Sequence, residues 1–553
     1  MGETIAQTLS ATDIVFAYHQ RTKHRLDGYA AGPETLDWTM QPNPFREFEG
    51  SHRVILPLGA EKLGTALDRV YAPGDIVPQS LSIRAVAALL ELSMGLSAWK
   101  EYGPDRWALR CNPSSGNLHP TEAYLISHGI HGLEDGVYHY VSRDHALERR
   151  CKTTSDANPL QGRQTGLWIG LSSIHWREAW KYGERAFRYC QLDIGHALGA
   201  LRYAAGALGW QVKLVKASSH QQIANLLGTN RDQDFLRGER EDPDVLLAVI
   251  PNSTPNNGMC KNAAAPILNP AQSQWSGQAN ILDSYPMYRW PIIGEVATAT
   301  QEPYGESEPG PEVDYPPLGP TEAGAAAGII LKRRSAQHFD RHHTMGSIDF
   351  YRMLDSMLAR PMTPWDVMDQ SPRVHPIIFV HRVDGVPSGL YALPRRSEAG
   401  ETLRQTLRSE FTWKKPDNCP DHIPLFQLMA ADCSKMAKTI SCNQAIAADG
   451  CFSLGMLAEF HEAVQRAPWR YRQLHWEAGL LGHVLYVEAE ASGLRGTGIG
   501  CFFDDAFHEL LGLQDTRFQS LYHFTVGRPL VDERIATLPA YFGRTVSLEE
   551  KQP

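Results

Sequence analysis

The chain has 553 residues, 42% of them hydrophobic and 21% charged, with a formal net charge of −9. A single hydrophobic core rarely grows past roughly 250–300 residues, so at least two domains are expected. The acidic balance argues against a nucleic-acid groove or an anionic membrane surface, and no apolar run reaches the ~18 residues of a membrane span without charge or glycine.

In chain order, SIRAVAALLELSMGL (82–96) puts apolar residues near i, i+3, i+4 and i+7, which predicts an amphipathic helix. Next comes NPSSGNLHPTEAYLI (112–126), where small polar residues and a glycine precede a strand-like run. Ser114, Ser115, Gly116 and Asn117 offer hydroxyl and N–H donors in a tight turn, suited to an anion or a flat polar ring. The same residues serve equally well as a plain turn. In WREAWKYGERAFRYC (176–190), Lys181 and Tyr182 stand side by side at the head of a helix. Desolvated, they can exchange protons; otherwise they are an exposed lysine and a half-buried tyrosine. The helix runs on into DIGHALGALRYAAGALG (193–209), whose small residues permit close helix contact. DVLLAVI (244–250) reads as a buried strand.

From 251 to 320 the texture changes to Asn, Pro, Gln, Ser and Gly, with six prolines between 303 and 320. This predicts an extended connector. Trp275, Tyr285, Tyr288 and Trp290 imply that part of it packs on a surface. Lys332-Arg333-Arg334-Ser335 follows, a set able to hold a phosphate or simply to form a basic turn in solvent. SGLRGTGIGCFFDD (492–505) alternates glycines, so its main chain can lie flat against a ligand. SLYHFTV (520–526) is a strand, and Arg528 stands at its end as another phosphate candidate.

The two sides of the connector repeat each other. At a constant offset of 284, Asp193 meets Glu477, Gly195 meets Gly479, Arg188 meets Arg472, and Leu226-Leu227-Gly228 meets Leu510-Leu511-Gly512. Gly132-x-x-x-Gly136-Val-Tyr138 likewise matches Gly385-x-x-x-Gly389-Leu-Tyr391. One α+β fold is therefore expected twice: a first domain over 1–251, a connector over 252–320 and a second domain over 321–545.

Nine cysteines without a C-x-x-C pair read as reduced thiols, hence a cytoplasmic protein. Cys433 and Cys442 read more simply as small buried hydrophobes than as metal ligands. The N-terminus carries no secretion-signal pattern.

Together, RRS (333–335), PSSGNLHPTEAYLI, GLEDGVYHY, KYGERAFRY leading into DIGHALGAL, EAGLLGHVLY, GTGIGCFFDD and HFTVGRP resemble the FMN-dependent nitroreductase superfamily. The resemblance is to its SagB/ThcOx-type branch, which includes azoline oxidases. It implies two nitroreductase-like domains paired within one chain as a pseudo-dimer, for which a monomer would suffice. It also implies FMN held by Arg334, Ser335 and Arg528 from the second copy and by Pro113, Ser114, Ser115, Gly116 and Asn117 from the first. The main chain of Gly498, Ile499 and Gly500 would face the flavin and offer an N–H to its ring. Lys181 and Tyr182 match a catalytic Lys-Tyr pair, and the substrate would be a heterocycle or a peptide-derived molecule. In the first copy, Arg21-Thr22-Lys23-His24-Arg25 stands where RRS would be, and PWDVMDQSPRVHP (364–376) replaces the second copy's PSSGN loop, so one FMN per chain is expected. An NAD(P)H-dependent nitro- or quinone reductase and an inactive duplicated scaffold are the competing expectations.

Overall fold

The computed structural model describes residues 9–72, 76–153, 165–216, 218–236, 238–252, 273–303, 310, 315–368 and 370–544. In the first half, strands β1 (Thr121–His128), β2 (Gly136–Val141), β3 (Ala146–Thr153), β4 (Gly166–Ser173), β5 (Trp210–Leu214) and β6 (Asp242–Pro251) form an antiparallel sheet. Their order is β3-β2-β1-β4-β6-β5. In the second half, β7 (Val374–Val380), β8 (Gly389–Ala392), β9 (Phe426–Ala430), β10 (Phe452–Glu459), β11 (Arg495–Ile499) and β12 (Phe518–Gly527) take the order β9-β8-β7-β10-β12-β11, again antiparallel. Strand for strand, the two orders are the same.

Both sheets are covered on both faces, and the period-2 direction of side chains explains which residue goes where. From the first sheet, Leu125, Ile169 and Leu171 point into a core that runs through both halves. Their neighbours Tyr124, Ile126 and Leu246 face a separate outer core with Ile223 and Leu226. In the second sheet Ile378, Leu454 and Met456 enter the shared core, while Ile377, Phe379 and Leu457 pack outward against Leu403, Phe507 and Leu511. The duplicated glycine-tyrosine motif also has one geometry twice. Gly132 and Gly385 both have positive φ, at 82° and 70°. Tyr138 and Tyr391 each donate their hydroxyl to the carbonyl four residues back, at Glu134 and Pro387.

The centre of the shared core is a pair of 22-residue helices, α1 (Ala186–Ala207) and α2 (Arg470–Ala491). They touch at the repeated glycines. A Cβ on Gly195 would stand 2.2 Å from the Trp476 carbonyl oxygen, and one on Gly479 would stand 2.1 Å from that of Leu192. Trp476 is Leu192 plus 284, so the contact is reciprocal about a pseudo-two-fold axis.

Each half also sends a terminal arm onto the other. Helix Ala11–Arg21, capped by a reciprocal Ser10–Asp13 box, sets Phe16 against Phe460 and His19 against Tyr471. At the other end, Ala536–Leu538 pairs with the strand Leu96–Tyr102 of the first half, and the Trp99 indole donates to the Ala540 carbonyl. Between the halves, the extended connector is folded in part. Ser273–Trp275 adds to β3, and Pro291–Ala299 is a helix with proline at its start. That helix is held by Arg472, which donates to the Ala297 carbonyl. Among the described residues, no helix is long and apolar enough to cross a membrane.

Candidate functional site

Where the halves meet lies a cavity of about 430 Å³. The first half contributes the loop 112–117 before β1, Tyr182, Tyr189 and Asp193; the second contributes Arg333 to Gln337, Tyr486, Tyr522 and the chain from Thr497 to Cys501. Pro113, Ser114, Ser115, Gly116, Asn117, Arg334, Ser335, Gly498, Ile499 and Gly500 therefore share one cavity. Tyr182 is in its wall. Lys181 stands behind, its Nζ 5.2 Å from the Tyr182 ring centre and 5.3 Å from that of Trp38. Arg528 is not among the lining residues; it is exposed at the end of β12, and its carbonyl accepts from the Asp340 N–H.

The loop is shaped by its close approach to Tyr182. Gly116 has φ +60°, and a Cβ there would lie 2.5 Å from the Tyr182 hydroxyl. Its Ser115 and Asn117 donors, however, are engaged within the protein. The Ser115 N–H and hydroxyl both donate to Asp193 at 3.0 Å, and the Asn117 amide donates to the Ala108 carbonyl at 2.9 Å. On the facing side, the Gly498 N–H donates to the Tyr486 hydroxyl at 3.0 Å, which also bonds Ser335 at 2.8 Å. That N–H is thus taken by Tyr486 and is not free for a ring atom of a ligand.

One part of the cavity is cationic. Lys100, Arg333, Arg334 and Arg495 all line it. Burial lowers the Lys100 pKa, and the neighbouring Arg334 and Arg495 lower it further. Burial and Arg333 bring Arg334 down to about 10. Glu490, whose carboxylate lies 3.8 Å from the Arg495 Nε, raises Arg333 and Arg334 and so offsets part of this repulsion. The Arg333 Nε and one of its terminal nitrogens are buried without a hydrogen-bond partner. Arg334 spends three N–H groups on the carbonyls of Leu331, Arg333 and Ser97, which leaves two of its five. Ser335 and these guanidinium groups suit a phosphate.

The other part carries proton-handling groups. Burial without a facing cation raises the Asp193 carboxyl to about 7, against the hydrogen bonds of Ser114 and Ser115. The fully buried Glu178 has both carboxyl oxygens without a hydrogen-bond partner, and burial and Asp193 push its pKa well up. Burial lowers Lys181, while Glu178 raises it. Burial, then Glu178 and Tyr189, push the Tyr182 phenol well above its usual value. Arg333 stood in the basic set read from the sequence, whereas Asp193, Arg495 and Lys100 were not singled out as site residues; the repeat that pairs Asp193 with Glu477 was the one available signal. Both acids hold the loop before the first strand of their sheet. Asp193 accepts from Ser115, and Glu477 accepts from the N–H groups of Arg373 and Val374.

The pseudo-symmetric position is filled. An offset of 284 carries Gly498, Ile499 and Gly500 onto Leu214, Val215 and Lys216, and Tyr189 onto Gln473. Those four residues line a cavity of about 60 Å³, closed by Trp469 and Trp476. That is room for no more than a few waters at about 30 Å³ each. Arg202, the counterpart of Tyr486, makes a two-pronged ion pair with Asp366 from the loop that replaces PSSGN. Among the described residues, no cluster of three or more His, Cys, Asp or Glu side chains could hold a metal ion.

A fold repeated about a pseudo-two-fold axis, with a site at the seam, is that of the nitroreductases. The structure superposes on that of a nitroreductase-named protein from Anabaena variabilis with a TM-score of 0.68 and 22% identity, over 94% of this chain and 99% of that one. The chain therefore has the nitroreductase fold, present twice. In sequence it is 28% identical over 179 residues to the trifolitoxin-processing protein TfxB of Rhizobium leguminosarum bv. trifolii. That match spans 30% of this chain and 45% of TfxB, less than half the relative's length. It is 24% identical over 154 residues to a nitroreductase-named protein of Methanocaldococcus jannaschii, covering 27% of this chain and 74% of that protein. No protein-family model matches the chain. The resemblance to the SagB/ThcOx-type branch of the nitroreductase superfamily thus has a toxin-processing relative beside it.

Proposed function

We propose that the chain is an FMN-dependent oxidoreductase of the SagB/ThcOx type, with one FMN per chain in the seam cavity and a heterocyclic or peptide-derived substrate. The observation that carries this reading is the cluster of Arg333, Arg334 and Arg495 from the second half, with Lys100 from the first, which Glu490 offsets only in part and which shares one cavity with the Tyr182-packed loop. Arg333, Arg334, Arg495, Lys100 and Ser335 would hold the phosphate. The Pro113–Asn117 loop and the Gly498–Gly500 main chain would flank the ring. Bound there, the flavin would supply two-electron redox chemistry.

The protein's own share is positioning and proton handling. A phenol with a raised pKa stays protonated at neutral pH, so Tyr182 holds its proton and orients substrate through its hydroxyl. Lys181 has a lowered pKa, which increases its neutral fraction and suits it to take a proton. It is half-buried behind Tyr182. The similarity to a toxin-processing protein supports a peptide-derived substrate over a free nitroaromatic.

The test is reconstitution with FMN followed by anaerobic mixing with NADPH and, separately, with azoline-containing peptides. Bleaching by the peptide, and not by NADPH, is expected. Lys181→Ala and Tyr182→Phe should keep bound flavin and lose about 10²-fold or more in turnover. Rapid bleaching by NADPH would favour the nitroreductase reading. Full turnover in both variants would remove the proton-transfer assignment.

A further inference from the structure

Among the described cysteines, six are buried, and only Cys442 and Cys501 are partly exposed. They are hydrogen-bonded to each other. Cys501 follows Gly500 in the wall of the seam cavity. Cys442 reaches it from the turn after helix Ser434–Ile440, where Cys442 and Asn443 have φ of +51° and +59°. A left-handed cysteine is uncommon, so the surrounding structure must hold it. Part of that hold is visible: the Gln444 amide donates to the Cys501 carbonyl at 3.1 Å.

A histidine completes the group. The His24 Nδ1 accepts the Ala30 N–H at 3.0 Å, so in the neutral ring the proton sits on Nε2. His24 also hydrogen-bonds Cys501, which leaves Nε2–H as the donor to that sulfur. Burial lowers the His24 pKa, so the ring is neutral at neutral pH. The Cys442 hydrogen bond pulls the Cys501 thiol below its usual range against the push of burial, with His24 and then Arg185 adding to it. The nearby carboxylate, Asp504, is itself ion-paired with Arg185 and Arg188 at 3.0 and 2.9 Å. These are the surroundings of a reactive thiolate with a resolving thiol beside it.

We infer that Cys442 and Cys501 are a redox-active dithiol, Cys501 in the cavity wall and Cys442 behind it, which a small-molecule disulfide oxidises to an intrachain disulfide. The Cys501 thiolate attacks one sulfur of the incoming disulfide, forming a mixed disulfide and expelling a thiolate. Cys442 then attacks the Cys501 sulfur, expelling the second thiolate, which takes the Cys442 proton. Two electrons pass from the protein to the incoming disulfide, which leaves as one thiol and one thiolate. The link ties the 442–444 turn to the 500–501 wall and removes a negative charge from beside the cavity. It stands independently of the bound cofactor.

The test uses the full chain. At pH 6, iodoacetamide should alkylate Cys501 at least ~10-fold faster in the native protein than in urea, where an ordinary thiol is almost wholly protonated. Glutathione disulfide should give a dithiothreitol-reversible Cys442–Cys501 peptide link in the wild type. In Cys442→Ser it should leave glutathione trapped on Cys501. Slower alkylation in the native state, or a stable glutathione adduct on wild-type Cys501 with no internal link, would overturn the inference.

Discussion

Asp193 and Glu477 occupy one position of the repeat, and only Glu477 faces a cation. Glu477 is buried beside Arg395, with which it forms an ion pair. Asp193 is 1% exposed and faces no cation, so its carboxyl titrates near 7. The sign follows from proton linkage. Between the ordinary aspartate value of 3.8 and about 7, the folded protein holds a proton that the unfolded chain has released. Stability from this residue therefore falls as pH rises through that window, by up to about 4 kcal/mol. Asp193→Asn keeps an oxygen to accept from Ser115 and cannot titrate. Its urea midpoint should lose that part of the decline between pH 4 and 7; an unchanged decline would contradict the assignment. At this scale the sequence was only partly legible. Gly116 and Tyr182 could be singled out from their neighbours in the chain. The absence of an arginine facing Asp193 could not, because Arg395 lies 82 residues from Glu477. Arg528 was legible as a residue and not in its direction, since what matters is which way the chain turns after β12.

At the scale of elements, the crossing of α1 and α2 organises the molecule. Gly195 and Gly479 let two backbones touch where any side chain would meet a carbonyl oxygen at 2.1–2.2 Å. Gly195→Ala should cost about 1–3 kcal/mol, and possession of both alanines should cost more than either alone. Urea denaturation measures this; a neutral Gly195→Ala would mean that the helices do not meet there. The two glycines were readable from the sequence as repeat counterparts and the small residues as permitting close helix contact, but not that the two helices meet each other there. A few strands were also legible as buried runs, among them DVLLAVI and SLYHFTV, whereas β11 read as a glycine-rich stretch. Their order was not, since β5 and β11 pair with strands that follow them across a helix, and nothing local specifies the neighbour. The helix Pro291–Ala299 was missed inside a proline-rich stretch: its hydrogen-bonding anchor, Arg472, belongs to the other half.

The whole molecule is a pair of folds that are equivalent in topology and unequal in chemistry. The exchanged arms and the shared core make the seam a permanent interior. One of its two pseudo-symmetric positions keeps about 430 Å³ and the other about 60 Å³. Divergence of the second site is what a fused pair permits, since each copy is then free to change separately. The sequence showed Arg21-Thr22-Lys23 standing where RRS would be in the first copy; it did not show Trp469, Trp476 and the Arg202–Asp366 pair on the pseudo-symmetric side. The most direct measurement is the flavin-to-chain ratio of the protein reconstituted with excess FMN, freed of unbound cofactor and denatured to release what remains. A ratio near one in the wild type, with marked loss on Arg333→Ala or on Gly116→Val from the opposite half, is the predicted result. Two flavins per chain, or one that is indifferent to either substitution, would contradict a single site shared across the seam.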